Sequence, residues 1–272
     1  MVQVVALVDS SHRQARFARS LSWAFRNAGF DLRLASHRQL VAEVTVSQSV
    51  GEESSVDPDR PLLWLSPGGP VRSTTPEDRF LAAEVSAAAR SIAYVTRSQV
   101  MNRPSAVSPC GSFPGSSAVA VRRIRQHGLS GMAIRAERFT ASRPVDGDIG
   151  EFEVYDYCLG RSSWGVAPDA EGPYRRRKAV RSAGLVKVRV IGDRTITTTS
   201  VDPSTLETSV RIASVYDLDM AVVWWLIDDS GPTLARIDCW PWDAGFDADF
   251  DEAAEATVAW MGARLSSASH VG

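Results

Sequence analysis

The chain reads as α/β, with an α+β C-terminal part. Three stretches carry this reading: a β-α-β opening over residues 2–36, a hairpin over 185–201 and a second hairpin over 220–238. "VQVVALV" (2–8) is a short run of β-branched and aliphatic residues, the pattern of a strand buried on both faces. "SSHRQARFARSLSWAFRNAG" (10–29) places Phe17, Leu21, Ala24 and Phe25 at helical spacing, with Gly29 as its stop. "FDLRLAS" (30–36) alternates and predicts a second strand. A strand, a helix and a strand in that order imply a small parallel sheet.

Residues 50–61, "VGEESSVDPDRP", predict a loop, and "LLWLS" (62–66) a short strand. Over 75–92 a helix is predicted, with Thr75 as its cap, Pro76 in its first turn and Glu77 and Asp78 behind them. The first unit then ends near residue 100. A helix ended by Gly128 (116–128) and a strand (151–157) follow. The hairpin of 185–201 turns at Gly192-Asp193. Ser204, with Glu207 three residues on, predicts a capping box opening a helix over 204–219. After the 220–238 hairpin, acids at 249 and 251–252 open a closing helix over 249–265. There is no internal repeat and no low-complexity segment.

Bulk composition narrows the function. With 272 residues, 44% apolar and 23% charged, the chain has the material for a packed core, and a net charge of −2 gives no footprint for nucleic acid. Cys110, Cys158 and Cys239 are widely spaced and form no CxxC, which fits a reducing cytoplasm and buried, inert thiols. The N-terminus lacks the basic segment and apolar length of a signal peptide, and no apolar run approaches a membrane span. A cytoplasmic protein with no membrane partner is expected. Of the 30 basic residues only Lys178 and Lys187 are lysines, so lysine chemistry has two candidates.

Four segments, in order, carry a family resemblance: "MNRPSA" (101–106), "VYDYCLGRSSWG" (154–165), "VKVRVIGDRTITTTS" (186–200) and "LDMAVVWWLIDDSGPTLARIDCWPW" (218–242). Together with the closing helix they resemble the ATP-grasp superfamily, and within it the ribosomal-peptide maturases that make graspetides such as microviridins. The resemblance implies a pre-ATP-grasp βαβ domain at 1–100 and a shortened ATP-grasp-like domain at 101–272. Enzymes of this family phosphorylate a carboxylate with ATP, and an amine or hydroxyl then attacks the acyl-phosphate. That chemistry implies lysines around the phosphates and Mg²⁺ held by Asp, Glu and Asn oxygens.

Carried over position by position, the site is degenerate. A family lysine falls on Asp156, where a carboxylate would repel phosphate by several kcal/mol in a partly dry cleft. Another falls on or near Ser117. Arg161, Ser162, Lys187 and Arg189 are what the resemblance leaves as a nucleotide or anion-binding remnant. In the last hairpin the family's metal-binding Asp and Glu become Trp224 and Arg236, and only Asp238 keeps an oxygen at the Asn position. A turn near Ser230 sets Trp224 opposite Arg236, with Cβ atoms roughly 5 Å apart. Such a pair favours a stacked cation–π contact of about 0.5–2 kcal/mol and excludes an ion from the same volume. A shift of register by two would bring in Asp228 or Asp229 as a replacement ligand.

The remaining features have a plain reading and a functional one. Trp224, Trp225, Trp240 and Trp242 read first as packed core, and second as the wall of a substrate or peptide pocket. The run "YRRRKAVR" (174–181) reads as a solvated loop or, through Arg175, Arg176, Arg177, Lys178 and Arg181, as a docking surface for an acidic peptide or partner. Asn102-Arg103-Pro104 reads as a structural junction, and neither His12 nor His127 has a partner motif for catalysis. Three readings of function follow. One is a pseudoenzyme in peptide maturation, binding a peptide or a paralogous ATP-grasp ligase in a homo- or hetero-oligomer, with no cofactor expected. Another is an active ATP- and Mg²⁺-dependent ligase that uses Arg161, Lys187 and Arg189 on phosphate. A third is a different reaction on the same frame.

Overall fold

The computed structural model describes residues 2–8, 16–47, 54–66, 75–106, 108–113, 117–129, 133–134, 137–140, 152–156, 161–164, 174–178, 184–228, 231–239 and 249–268. It divides into two compact units. Unit 1 takes residues 1–114, 188–222 and 238–272, and unit 2 takes 115–187 and 223–237.

Unit 1 opens with β1 (Gln3–Leu7), α1 (Arg16–Asn27) and β2 (Asp31–Ala35), then α2 (His37–Glu43), β3 (Thr45–Ser47), β4 (Ser55–Asp57), β5 (Leu62–Trp64), α3 (Pro76–Val95) and β6 (Val100–Met101). β1, β2, β5 and β6 form one parallel sheet in the order β2-β1-β5-β6. The pleat of β1 divides its side chains between two cores. Val4, Ala6 and Val8 pack with Phe17, Leu21 and Phe25 of α1, while Val5 and Leu7 pack with Trp64, Ala89, Ile92 and Ala93 on the other face. The helical spacing of Phe17, Leu21 and Phe25 thus places α1 on the sheet as expected. Thr75 caps α3 by accepting from the Asp78 amide, and Pro76 fills the first turn, also as predicted.

Two features of this unit escaped the sequence. The predicted loop of 50–61 contains β4, which pairs antiparallel with β3. Neither strand buries a face, so neither shows apolar alternation. Helix α2 is opened by a reciprocal capping box between Ser36 and Gln39.

The chain continues through α4 (Ser117–Gln126), β7 (Ala133–Ile134), β8 (Glu137–Thr140), β9 (Phe152–Asp156), β10 (Arg161–Trp164) and β11 (Tyr174–Lys178). β8 to β11 form a sheet in the order β10-β9-β11-β8. The basic run at 174–178 is therefore not a loop. It is an inner strand, paired antiparallel with β9 and β8, with Arg177 in register with Glu153 and Glu137. Backbone pairing on both edges makes the run a strand; of its basic residues only Arg177 has acids in register, and Arg176 stands opposite Arg138.

β12 (Leu185–Ile191) and β13 (Arg194–Ile196) make the predicted hairpin at Gly192-Asp193, although β13 ends at 196 and does not reach 201. Gly192 sits at φ +61°, and a Cβ there would come within 3.0 Å of the Trp260 ring, so the turn needs glycine twice over. α5 (Pro203–Val215) is capped by Asp202, whose side chain accepts from the Ser204 amide. The predicted Ser204 cap is thus corrected: Pro203 occupies the first helical turn and moves the cap one residue earlier. β14 (Met220–Asp228) and β15 (Gly231–Asp238) are the last hairpin, in a sheet of order β13-β12-β14-β15-β7, and α6 (Phe250–Ala268) closes the chain. Phe250, Ala253, Ala254 and Met261 of α6 join the core of α1. Among the described residues no helix is long and apolar enough to cross a membrane.

Candidate functional site

Within unit 2 the last hairpin brings Trp224 and Arg236 together. The Arg236 guanidinium carbon lies 4.5 Å from the centroid of the Trp224 ring. Trp224 is 2% exposed and Arg236 is half-buried. The run "MAVVWW" is buried throughout, so this end of β14 is fixed by packing. A guanidinium stacked on an indole face here fills the space between the strands with a cation. Oxygen-ligated Mg²⁺ needs the opposite, acceptor groups converging on a vacant centre. Trp224 and Arg236 do not fit that ion. Among the described residues, no three His, Cys, Asp or Glu side chains come together as metal ligands would. Asp238 is half-buried at the end of β15; Asp229 lies outside the described residues, as does the Asp228 side chain. Trp225 is 1% exposed, a core residue by burial, and Trp240 and Trp242 lie outside the described residues.

The four residues of the anion remnant are placed differently from one another. Lys187, in unit 2, is buried at 3% exposure. Arg189, in unit 1, is fully buried, and its Nε donates to Asp249 Oδ2 at 3.1 Å. Its guanidinium carbon lies 5.5 Å from the Phe250 ring and 5.9 Å from the Phe17 ring. Among the described residues Nη1 and Nη2 find no hydrogen-bond partner, and the two rings and the Asp249 carboxylate face this charge. The sequence offered Asp249 only as a helix-start acid; nothing in its spacing pointed to Arg189. Arg161 and Ser162 lie on β10, where Arg161 is the register partner of Asp156 on β9, and Ser162 that of Tyr155. The position that should hold a lysine and the surviving arginine are thus cross-strand neighbours. Ser117 is the first residue of α4. Arg175, Arg176, Arg177 and Lys178 lie on β11, which pairs with β8 on one edge and β9 on the other. Arg181, Cys158 and His12 lie outside the described residues.

A second polar cluster, in unit 1, is built on Asn102. This fully buried residue takes φ 54°, in the left-handed region that asparagine tolerates. Its side-chain amide donates to the carbonyls of Met220, at 2.8 Å, and Cys239, at 3.2 Å, and accepts from the Met220 amide. Its own backbone N–H donates to Asp219 Oδ2 at 3.0 Å. Burial pushes the Asp219 carboxyl above the usual carboxylate range, against the opposing pull of the Asn102 amide, Arg264 and Arg103. Arg103 donates to the carbonyls of Ala93, Tyr94, Thr96 and Ser98 and so closes the C-terminal end of α3. Asn102 and Arg103 thus both hold backbone carbonyls of the surrounding chain. Cys110 and Cys239 are buried beside each other, and burial first, then the Cys239 contact, pushes the Cys110 thiol well up.

No family model and no curated protein matches the sequence. Solved structures do match in fold. The macrocyclase MdnC of Microcystis aeruginosa MRC, bound with precursor peptide MdnA, superposes with a TM-score of 0.65 at 8% identity, over 96% of this chain and all of that one. The ATP-grasp ligase PsnB, complexed with a minimal precursor, gives 0.63 at 14% identity, over 95% and 99%. A RimK-domain ATP-grasp protein of Sphaerobacter thermophilus gives 0.55 at 16% identity, over 96% and 99%. The chain has the ATP-grasp fold. Within that fold it is similar to the graspetide-type maturases along nearly its whole length.

Proposed function

We propose that this chain is a peptide-binding member of the ATP-grasp fold, acting in peptide modification and without ligase chemistry of its own. The observation that carries the reading is the Arg236–Trp224 stack, on the hairpin where the resembling enzymes carry metal-binding carboxylates. The burial of Arg189 against Asp249 supports it, because that guanidinium is already committed inside the core. Fold-mates that hold precursor peptides, MdnC and PsnB, make a peptide the natural partner class. A paralogous ligase as a further partner, and the division into domains at 1–100 and 101–272, belong to the same reading.

Titration calorimetry with ATP and Mg²⁺ is the direct test, and no binding is expected. A Mg²⁺-dependent dissociation constant below ~100 μM, about 5.5 kcal/mol of binding, would sink the reading. It would favour the active ligase that uses Arg161, Lys187 and Arg189 on phosphate and Asp238 with Asp228 or Asp229 on Mg²⁺. Peptide binding is tested with an acidic peptide against its charge-reversed counterpart. Arg175→Glu with Arg177→Glu is expected to weaken only the acidic peptide. Unchanged affinity would remove Arg175 and Arg177 from the binding surface.

A further inference from the structure

Two of the three cysteines meet inside unit 1. Cys110 lies in the loop after β6 and is 1% exposed; Cys239 is the first residue beyond β15 and is 6% exposed. They are 129 residues apart in the chain, and the Cys110 thiol donates to the Cys239 carbonyl at 3.7 Å. The two thiols are also within hydrogen-bond reach of each other. Each residue is held by contacts of its own. The Cys110 amide donates to Ser108 Oγ at 3.1 Å, and the Gly111 amide to the Arg103 carbonyl at 3.1 Å. Gly111 takes φ 54°, and a Cβ there would come within 2.4 Å of the Tyr216 carbonyl oxygen, so the loop is pressed against its neighbours. The Cys239 carbonyl accepts from Asn102 Nδ2. Two thiols fixed in this way already lie within the span of a disulfide.

From this arrangement we propose that Cys110 and Cys239 form a modification site, a dithiol that hydrogen peroxide converts to a reversible disulfide. Burial alone would leave either thiol inert, but each has the other as a partner. Peroxide is the oxidant class that fits, because a molecule little larger than water reaches places from which bulky disulfides are shut out. Cys239 is the point of entry, being the more exposed of the two. Burial, and then the Cys239 contact, hold the Cys110 thiol protonated. The Cys239 sulfur takes one oxygen from peroxide and becomes a sulfenic acid, with release of water. The Cys110 sulfur then attacks the Cys239 sulfur, and the Cys110 proton leaves with the hydroxyl as a second water. The two thiols lose two electrons in all, and the peroxide O–O bond takes them up. Because the two sulfurs are held together, closure by Cys110 outruns further oxidation of Cys239. The product joins the loop after β6 to the residue that follows β15. The site is independent of the reading of the last hairpin.

Peroxide treatment of the full chain, followed by intact-mass measurement and peptide mapping, tests this. A loss of two hydrogen atoms is expected, with the peptide that carries Cys110 joined to the one that carries Cys239. Dithiothreitol should reverse it. A cross-link between points so far apart in the chain should raise the melting temperature by about 5–10 °C. Cys158→Ala should leave both the cross-link and the shift unchanged. Cys110→Ala should abolish both and leave on Cys239 a sulfenic acid that dimedone traps, whereas Cys239→Ala should leave no sulfenic acid on Cys110. Circular dichroism verifies the fold of each variant, and mapping of the unaltered chain needs no variant. A folded chain that gains no Cys110–Cys239 cross-link, a cross-link that runs through Cys158, or conversion of Cys239 to a sulfinic acid in the unaltered chain overturns the proposal.

Discussion

The guanidinium carbon of Arg236 lies 4.5 Å from the ring centroid of Trp224, across the two strands of the last hairpin. At this distance the pair should be coupled in stability. Trp224→Ala alone should cost about 3–5 kcal/mol, because the ring is almost fully buried. In a double-mutant cycle with Arg236→Ala, a coupling of about 0.5–2 kcal/mol is expected in chemical denaturation. Zero coupling would reduce the contact to proximity.

Restoring carboxylates does not restore chemistry. The double variant Trp224→Asp, Arg236→Glu should show no ATP turnover, because Asp156 still stands at the position where the resembling enzymes place a phosphate-binding lysine. Turnover by this variant would show that Asp156 is misassigned. Adding Asp156→Lys provides the stricter comparison.

Arg189 and Asp249 should behave as a buried ion pair whose halves cannot be removed singly. Arg189→Ala or Asp249→Ala should each cost about 3–5 kcal/mol by taking away the other's ion-pair partner in the core. Arg189→Met with Asp249→Leu, which removes both charges, should recover most of that loss in thermal melts. A mild effect of either single variant would mean that the pair is better solvated than its burial shows.

Asp219 ties stability to pH. Burial raises its carboxyl in the folded chain, so the folded state binds its proton more tightly than the unfolded state does. This favourable protonated form is present at low pH and is lost as pH rises through the raised folded value. Relative to wild type, Asp219→Asn should therefore be more stable at neutral pH, with the difference shrinking on acidification through the carboxylate range. The asparagine can still accept from the Asn102 amide. A difference that grows on acidification would reverse the sign assigned here.

Asn102 should be among the least replaceable polar residues. Asn102→Ala loses three side-chain hydrogen bonds in a buried site and leaves the Met220 and Cys239 carbonyls without them, a cost of about 2–4 kcal/mol. Asn102→Asp keeps the acceptor but loses both donors and adds a buried charge near Asp219. It should be worse than alanine in urea denaturation.

The parts of this fold legible in the sequence are those where one physical rule acts alone. β1 is apolar at consecutive positions because both its faces are covered, and α1 repeats Phe17, Leu21 and Phe25 because one face meets the sheet. Trp224 and Arg236 could be paired in advance because a tight hairpin fixes which residues face each other. The failures come where tertiary partners decide. β3 and β4 bury almost nothing and depend on each other for pairing. The basic run of β11 looks like a solvated segment until the two strands that pair with it are known. Arg189 and Asp249 are sixty residues apart, and no local pattern joins them. Asp202 and Ser204 compete for one cap, and Pro203 between them settles the contest.

The order in which the two compact units are threaded has an evolutionary corollary. The polypeptide enters unit 2 after residue 114, returns after 187, enters again after 222 and returns after 237. No single crossover in the gene can therefore exchange unit 2 as a cassette, and no terminal deletion can shed it whole. A lineage built this way can alter what that unit does only residue by residue, with the scaffold left standing.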